Sequence, residues 1–235
     1  EKVPEGLDWL DAAAVTVPSK DVDGDFIDFF RFNDACLDLV VGDVMGKGLH
    51  AAMVGAGARN QLARVLWQLS LQRDPAALEP ASIMNCFRAT FGERLSQIQK
   101  FITMIYARFD RNSRQMTFVD AGHAPILHYS ASKDTWHEVK GSGRPTGMPY
   151  DSDYEQITLS YAVDDIFLFY SDGLWDGRNG QKECYGQRAM MNCVNALKKY
   201  RADEFIAALL DDYRKFVVQG PFFDDLTMVV VKIRP

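Results

Sequence analysis

The chain has 235 residues, of which 47% are hydrophobic and 25% are charged, and its formal net charge is −6. These values are ordinary for a soluble globular chain and allow one large domain or two small ones. The negative charge argues against nucleic acid or an anionic membrane as the main partner. No apolar run is long enough to span a membrane.

The first half of the chain places β-prone runs before two helical patterns. Strands are predicted over Leu7 to Val17, Phe26 to Phe32 and the run that ends at Asp43. Turns are predicted at Asp21 to Gly24 and at Asn33-Asp34. Helices are predicted from Leu49 to Leu69 and from Ala81 to Ile98, with a loop from Arg73 to Pro80 between them. Glycine weakens a helix, so Gly55 and Gly57 indicate close packing of the first helix against a neighbour.

The second half is also mixed. Strands are predicted over Phe101 to Asp110, Gln115 to Asp120, Ile126 to Tyr129, Tyr154 to Leu159, Ile166 to Tyr170 and Thr227 to Ile233. Gly141 to Pro149 is predicted as a loop, Trp175 to Gly186 as a surface excursion, and Gln187 to Lys198 and Asp203 to Val218 as helices. This order does not alternate strand and helix, so it favours antiparallel sheets with helices outside over a doubly wound parallel sheet. Without a repeat or linker, residues 1–235 are interpreted as one domain.

Aspartates stand beside turn residues at four predicted strand ends: Asp25, Asp43, Asp172 and Asp224. A single aspartate in a turn is usually structural. Four that converge on one sheet edge repel, at about 4 kcal/mol for a pair about 4 Å apart at an effective dielectric near 20. A cation must therefore hold them, and oxygen ligands alone favour Mg²⁺ or Mn²⁺ over Zn²⁺. Two such ions can generate hydroxide and clamp a phosphoryl group.

Five segments in order, DGDFIDFF, LVVGDVMGKG, VDAGHAPIL, LFYSDGLWD and FFDDLTMVVVKI, carry a family resemblance. The chain resembles PPM-type serine/threonine phosphatases, and most of all the bacterial branch typified by SpoIIE and RsbU. The resemblance covers roughly Ala12 to Ile233. It implies an α+β fold, an αββα sandwich of two antiparallel sheets flanked by helix pairs.

The resemblance also implies a set of ligands for two Mn²⁺ or Mg²⁺ ions. Asp43 would bridge the ions, Asp25 and the backbone carbonyl of Val44 would hold one, and Asp172 and Asp224 would hold the other. In the family a metal-bound hydroxide attacks phosphorus in line, without a phosphoenzyme. No cysteine or serine nucleophile with a plausible base is visible in this sequence, which agrees with that chemistry.

The partners expected from the resemblance are those of a signalling enzyme. They are a phosphorylated STAS-domain anti-sigma-factor antagonist as substrate, an upstream sensor or receiver domain in cis, and a second copy of the chain in a homodimer. The start at Glu1 rather than Met hints at a catalytic fragment of a longer regulator, although tag removal gives the same start. Four cysteines without a CxxC pair or a zinc spacing indicate a reduced, cytoplasmic setting.

Two other functions remain open at this stage. One is a non-catalytic interaction module of the same fold, which would be expected to lack at least one of the carboxylates. The other is a metal phosphatase for a different phosphoprotein or a small phosphorylated metabolite. Several residues also keep both a functional and a structural interpretation: His123, Asp28, Asp225, Lys47, Arg144 and Arg178.

Overall fold

The computed structural model describes residues 3–19, 22–72, 74–149, 152–217 and 222–235. The strands are β1 Leu10–Val17, β2 Phe26–Asn33, β3 Cys36–Val44, β4 Ile102–Asp110, β5 Gln115–Ala121, β6 Ile126–Ser130, β7 Thr135–Val139, β8 Ile157–Ser160, β9 Ile166–Tyr170 and β10 Leu226–Ile233. The helices are α1 Leu49–Ser70, α2 Pro80–Gln97, α3 Gly173–Asp176, α4 Gly186–Ala196 and α5 Ala202–Val217, with a 3₁₀ turn at Pro75–Leu78. Within the described residues, none of these helices has the length and apolarity needed to cross a bilayer.

The strands form two five-stranded sheets in which every pairing is antiparallel. The first sheet has the order β1-β10-β9-β6-β7, and the second has the order β2-β3-β4-β5-β8. Helices α1 and α2 pack on the second sheet, and α5 packs on β1 and β10 of the first. The predicted αββα sandwich is therefore confirmed.

Strand β3 shows why the sequence forms such layers. Side chains on a strand alternate between its faces, and Leu37, Leu39 and Val41 enter the core between the sheets while Val40 packs toward α1 and α2. Both faces of the strand are thus buried. Each such aliphatic side chain contributes about 1.5–3 kcal/mol of transfer free energy, which fixes the sheet ends on which the aspartates lie.

Helix α1 approaches the start of β2 closely. A Cβ atom at Gly55 would lie 3.2 Å from the Gly24 carbonyl oxygen, so a larger residue would push the helix away from the Asp25 segment. The glycine that the sequence marks for close packing therefore contacts the loop that carries a candidate ligand.

Two elements were not predicted. Strand β7 was missed because its side chains are exposed or only half-buried at a sheet edge, so they lack strict alternation. Helix α3 was missed because it is one short turn that begins at Gly173, before the predicted surface excursion, and overlaps only its first residues. The predicted strand from Tyr154 begins only at Ile157. Asp21, Arg73 and Val218, which bound three other predicted elements, lie outside the described residues.

Candidate metal centre

The ends of β2 and β3 bring two of the predicted aspartates together in the second sheet. Phe26 at the start of β2 pairs with Gly42 near the end of β3. Asp25 and Asp43, one residue outside that pair on each strand, are therefore neighbours. The Val44 carbonyl oxygen also lies there, 3.3 Å from where a Cβ atom at Gly24 would be. The packing thus gathers the carbonyl and both carboxyl groups at one sheet edge.

The ends of β9 and β10 do the same in the first sheet. The Ser171 amide donates to the Thr227 carbonyl oxygen at 3.0 Å, which continues the pairing past the strand ends. A Cβ atom at Gly173 would overlap the Asp225 carbonyl oxygen and lie 3.5 Å from Cβ of Asp224. Glycine at this position lets Asp172 and Asp224 stand side by side.

Asp225 ties the two sheets together at this edge. One carboxylate oxygen accepts hydrogen bonds from the amide and the hydroxyl of Ser19, at 2.8 and 2.7 Å. The other oxygen accepts from the Gly24 amide at 2.7 Å. Asp225 thus holds the loops that carry Asp25 and Asp224 close to each other, which is the hydrogen-bonding role of a turn aspartate.

The carboxyl groups at this edge raise one another's pKa values. Burial and the charge of Asp43 raise the pKa of Asp25 well above its usual range, and the hydroxyls of Ser171 and Thr227 offset part of this. Burial, together with the charge of Asp172, raises the pKa of Asp43 to about 7, although a hydrogen bond from Asp25 lowers it. Carboxyl groups in such a site share protons unless a cation neutralises them.

The same effects reach two further carboxyl groups. Asp172 is exposed as a residue, but the protein around its carboxyl group and the neighbouring charge of Asp224 raise its pKa. Burial and the charge of Asp225 raise the pKa of Asp23. The sequence analysis did not single out Asp23, although its spacing from Asp25 in Asp-Gly-Asp could have drawn attention to it.

The donor set fits a hard divalent cation. Oδ2 of Asp25 and Oδ1 of Asp23 are buried and have no hydrogen-bond partner in the described part of the chain. All the donors are oxygen atoms, as Mg²⁺ and Mn²⁺ prefer. Among the described residues, no three acidic, histidine or cysteine side chains form a complete ligand set as they stand. The carboxyl groups would have to close in on a bound ion.

Lys47 already supplies one positive charge to this edge. Its Nζ atom lies 3.0 Å from Oδ2 of Asp224, donates to the Phe223 carbonyl oxygen, and sits 4.8 Å from the centre of the Phe223 ring. The lysine that the sequence analysis weighed as a phosphate contact or a solvated turn residue is instead paired with a candidate ligand.

A cavity of about 230 Å³ opens beside the acidic groups. Its lining includes Asp43, Asp172, Thr103, His123, Lys140 and Trp175. His123 Nδ1 lies 2.8 Å from the Thr103 hydroxyl, and its amide donates to Asp120. Burial lowers the pKa of His123 to about 4, so the ring is neutral at pH 7. Its Nε2 atom makes no hydrogen bond of normal geometry within the described residues.

The remaining residues with two interpretations lie as follows. Asp28 makes a two-point ion pair with Arg59 of α1, at 2.7 and 2.9 Å. Its carboxylate therefore does not orient a metal-binding side chain. The Arg144 carbonyl accepts a hydrogen bond from Tyr154, and the Arg178 guanidinium stacks 5.1 Å from the Phe223 ring. Thr103, which faces Asp43 across the β3–β4 pair, was not predicted as a site residue. Only the strand register reveals that neighbour.

Comparison with known proteins gives one family match, over residues 33–234, to the model of stage II sporulation protein E, SpoIIE. Phosphoserine phosphatase RsbU of Bacillus subtilis is 24% identical over 233 residues, which cover 98% of this chain and 65% of RsbU. The chain thus spans less than two thirds of that relative.

Solved structures share the fold. The SiaA-PP2C domain of Pseudomonas aeruginosa superposes with a TM-score of 0.81 at 21% identity, covering 94% of this chain and 85% of that one. The catalytic domain of the serine/threonine phosphatase PstP, solved in complex with two manganese ions, superposes with a TM-score of 0.64 at 15% identity, covering 96% and 99%. At these identities the likeness establishes the fold.

Proposed function

The chain belongs to the SpoIIE family, and from that premise we propose that it is a divalent-metal-dependent phosphatase for phosphoserine or phosphothreonine in proteins. One observation carries the proposal. Aspartates from the ends of two sheets form a single, electrostatically coupled acidic site beside a cavity, and burial with neighbouring charge raises the pKa of Asp43 to about 7. Such a site destabilises the folded protein unless a bound cation neutralises it. Sites of this kind are often functional.

The proposed ligands are those that meet at this edge. Asp25, Asp43 and the Val44 carbonyl would hold one Mn²⁺ or Mg²⁺ ion, and Asp43, Asp172 and Asp224 would hold a second. When bound, the ions supply an activated water and neutralise charge on a phosphoryl group. Manganese is present in the related PstP structure, which supports this choice of ion.

The chain's own residues bind and orient in this scheme. Neutral His123, held by Thr103, forms part of the cavity wall and positions the strand edge on which Asp43 lies. Two of the four thiols are poor nucleophiles, because burial raises the pKa of Cys36 to about 12 and that of Cys193 to about 11. Thiols with such pKa values carry almost no thiolate at neutral pH.

The surface beside the site favours a protein substrate over a metabolite. Met45, Leu49 and Met53 follow the Asp43 segment and are 42%, 67% and 65% exposed. Exposed apolar groups around a polar site are typical of protein-binding surfaces. The relative RsbU is named a phosphoserine phosphatase. We therefore propose a phosphorylated STAS-domain antagonist as substrate, with an upstream sensor or receiver domain in cis, a homodimeric state and a cytoplasmic location.

The activity test is metal-dependent hydrolysis of p-nitrophenyl phosphate. Wild type should be active with Mn²⁺, silent in EDTA and active again when Mn²⁺ is restored. Asp43→Asn and Asp172→Asn should each lose well over 100-fold in turnover, because even partners that only orient a ligand are worth about 10–100-fold. Asp8→Asn, an exposed residue just before β1, is the matched control and should behave as wild type.

Two outcomes would count against the proposal. Turnover retained by both Asp43→Asn and Asp172→Asn would refute the ligand assignment. Activity that EDTA does not change would refute a metal mechanism. The substrate is tested separately by comparing kcat/KM for a phosphorylated STAS antagonist with that for free phosphoserine. A higher value for free phosphoserine would favour the small-molecule alternative, and no turnover of any phosphoester would favour a non-catalytic module.

A further inference from the structure

Two histidines face each other on β6 and β7, at the edge of the first sheet. His128 in β6 and His137 in β7 are directly paired across the antiparallel strands. Nδ1 of His128 lies 3.0 Å from Nε2 of His137, and the ring centres are 4.6 Å apart. The strands therefore fix two imidazole nitrogens on one face of the sheet.

A buried carboxylate sets the protonation of His128. Nε2 of His128 lies 3.0 Å from Oδ2 of Asp165. The Ala131 and Ala162 amides also donate to this carboxylate, at 2.9 and 3.0 Å, so it acts as a hydrogen-bond acceptor. An ionised carboxylate only accepts hydrogen bonds, so Nε2 of His128 carries the proton. In the neutral ring Nδ1 then presents its lone pair toward His137.

The His128 ring is held rigidly. It is buried, with 5% exposure, and stacks on Phe167 with ring centres 4.3 Å apart and planes inclined by 4°. His137 is exposed on the edge strand. Both rings line a groove of about 450 Å³ whose other wall comes from β8 of the second sheet. A ligand that joined the two nitrogens would have one anchored partner, one adaptable partner and open space beside it.

We propose that Nδ1 of His128 and Nε2 of His137 form a binding site for a divalent transition metal of the nickel, copper and zinc group. A metal-binding histidine usually donates its other ring N–H to a carboxylate, as His128 does to Asp165. Two nitrogens on a tetrahedral ion at about 2.0–2.1 Å are roughly 3.3 Å apart, so the ion would replace the hydrogen bond between the rings, and exposed His137 would turn to direct Nε2 at it.

The protons balance without a co-reactant. His137 Nε2–H now donates to Nδ1 of His128. When the metal binds, the proton leaves Nε2 of His137 and Nδ1 of the same ring becomes protonated. His137 therefore changes tautomer and stays neutral. A neutral imidazole is the form that binds a metal. Water would complete the coordination from the groove.

This site is chemically distinct from the acidic edge. Imidazole nitrogen suits nickel, copper and zinc, whereas carboxylate and carbonyl oxygens suit magnesium and manganese. Ni²⁺ titrated calorimetrically into protein saturated with Mg²⁺ should therefore reveal one additional, imidazole-dependent site. In His137→Gln, its affinity should fall at least 10-fold. His50→Gln, which removes an exposed histidine on α1, is the matched control and should leave Ni²⁺ binding unchanged.

A spectroscopic readout separates this site from binding elsewhere. Electron paramagnetic resonance of one equivalent of Cu²⁺ should show coupling to two imidazole nitrogens in wild type and to fewer in His137→Gln. Asp165→Asn should weaken Ni²⁺ binding by about 10–100-fold, with thermal melting used to confirm the fold. Unchanged Ni²⁺ affinity in His137→Gln, or a Cu²⁺ spectrum without two-nitrogen coupling in wild type, would overturn the proposal. Neither result bears on phosphatase activity.

Discussion

Strand β3 carries two aspartates in opposite electrostatic situations. Asp38 is fully buried, and its carboxylate accepts two hydrogen bonds from the Arg108 guanidinium, both at 2.7 Å, and one from the Tyr106 hydroxyl. Asp43, farther along the same strand, has carboxyl groups as its closest charged neighbours, and burial with their charge raises its pKa to about 7. Asp38 is neutralised within the protein, whereas Asp43 is not.

This difference separates a structural carboxylate from a proposed metal ligand. Burial raises the pKa of Asp38, but the hydrogen bonds and charge of Arg108 act in the opposite direction. At Asp43 the neighbouring charges reinforce the effect of burial. A carboxylate that is neutralised by a protein side chain stabilises the fold, whereas one that is not neutralised is available to bind a cation.

The largest expected effect on stability is at Asp38. Arg108→Met would leave a buried carboxylate unpaired, which typically costs about 3–5 kcal/mol. Asp43→Asn should cost little or even stabilise metal-free protein, because it relieves repulsion. Urea unfolding measures both. Asp38→Leu combined with Arg108→Met should recover most of the loss, since replacing a whole buried pair is often neutral. Equal losses in Arg108→Met and Asp43→Asn would abolish the distinction.

The second effect is a pH dependence that arises only from the uncompensated side. Because folding raises the pKa of Asp43 from its usual value to about 7, the folded state binds more protons between these pH values. In metal-free protein in EDTA, the contribution of Asp43 to the free energy of unfolding should therefore be fully present below pH 4. It should be lost as the pH rises through about 7, by a few kcal/mol at most.

Denaturant unfolding of wild type and Asp43→Asn at pH 5 to 8 measures this effect. The difference in unfolding free energy between the two proteins should grow with pH in EDTA. In excess Mg²⁺ the trend should reverse for wild type, because the ion binds the ionised carboxylates. A pH-independent difference in EDTA would mean that the acidic groups are not coupled as the structure indicates.

The contrast also shows how far the sequence can lead. Asp43 could be predicted as a candidate ligand because glycines and an apolar strand surround it in the chain. The role of Asp38 could not, because its partner Arg108 is placed opposite it by the β3–β4 register. The order of apolar runs predicted antiparallel sheets with helices outside, and the family resemblance implied the αββα sandwich. The edge strand β7, and with it the His128–His137 pair, has no periodic pattern that marks it.

A smaller effect concerns the cation that already lies at the acidic edge. Lys47 pairs with Asp224 at 3.0 Å, and both side chains are about one third exposed, at 30% and 35%. Exposed pairs contribute about 0–1 kcal/mol. Lys47→Gln should therefore tighten Mn²⁺ binding only a few-fold, measured by calorimetry. Lys215→Gln, which breaks an exposed pair on α5, is the control. Weaker Mn²⁺ binding in Lys47→Gln would indicate that the lysine supports the site and does not compete with the ion.

The smallest expected effect is that of thiol alkylation. Cys36 lies on β3 two residues before Asp38, and burial together with the Asp38 charge raises its pKa to about 12. The compensated end of the strand thus keeps its thiol protonated and unreactive. Iodoacetamide should modify exposed Cys184 first and leave Mn²⁺-dependent turnover within about twofold of the untreated protein, with Cys184→Ser as control. Rapid inactivation of Cys184→Ser would show that one of the other three thiols takes part in the reaction, which would contradict a metal-only mechanism.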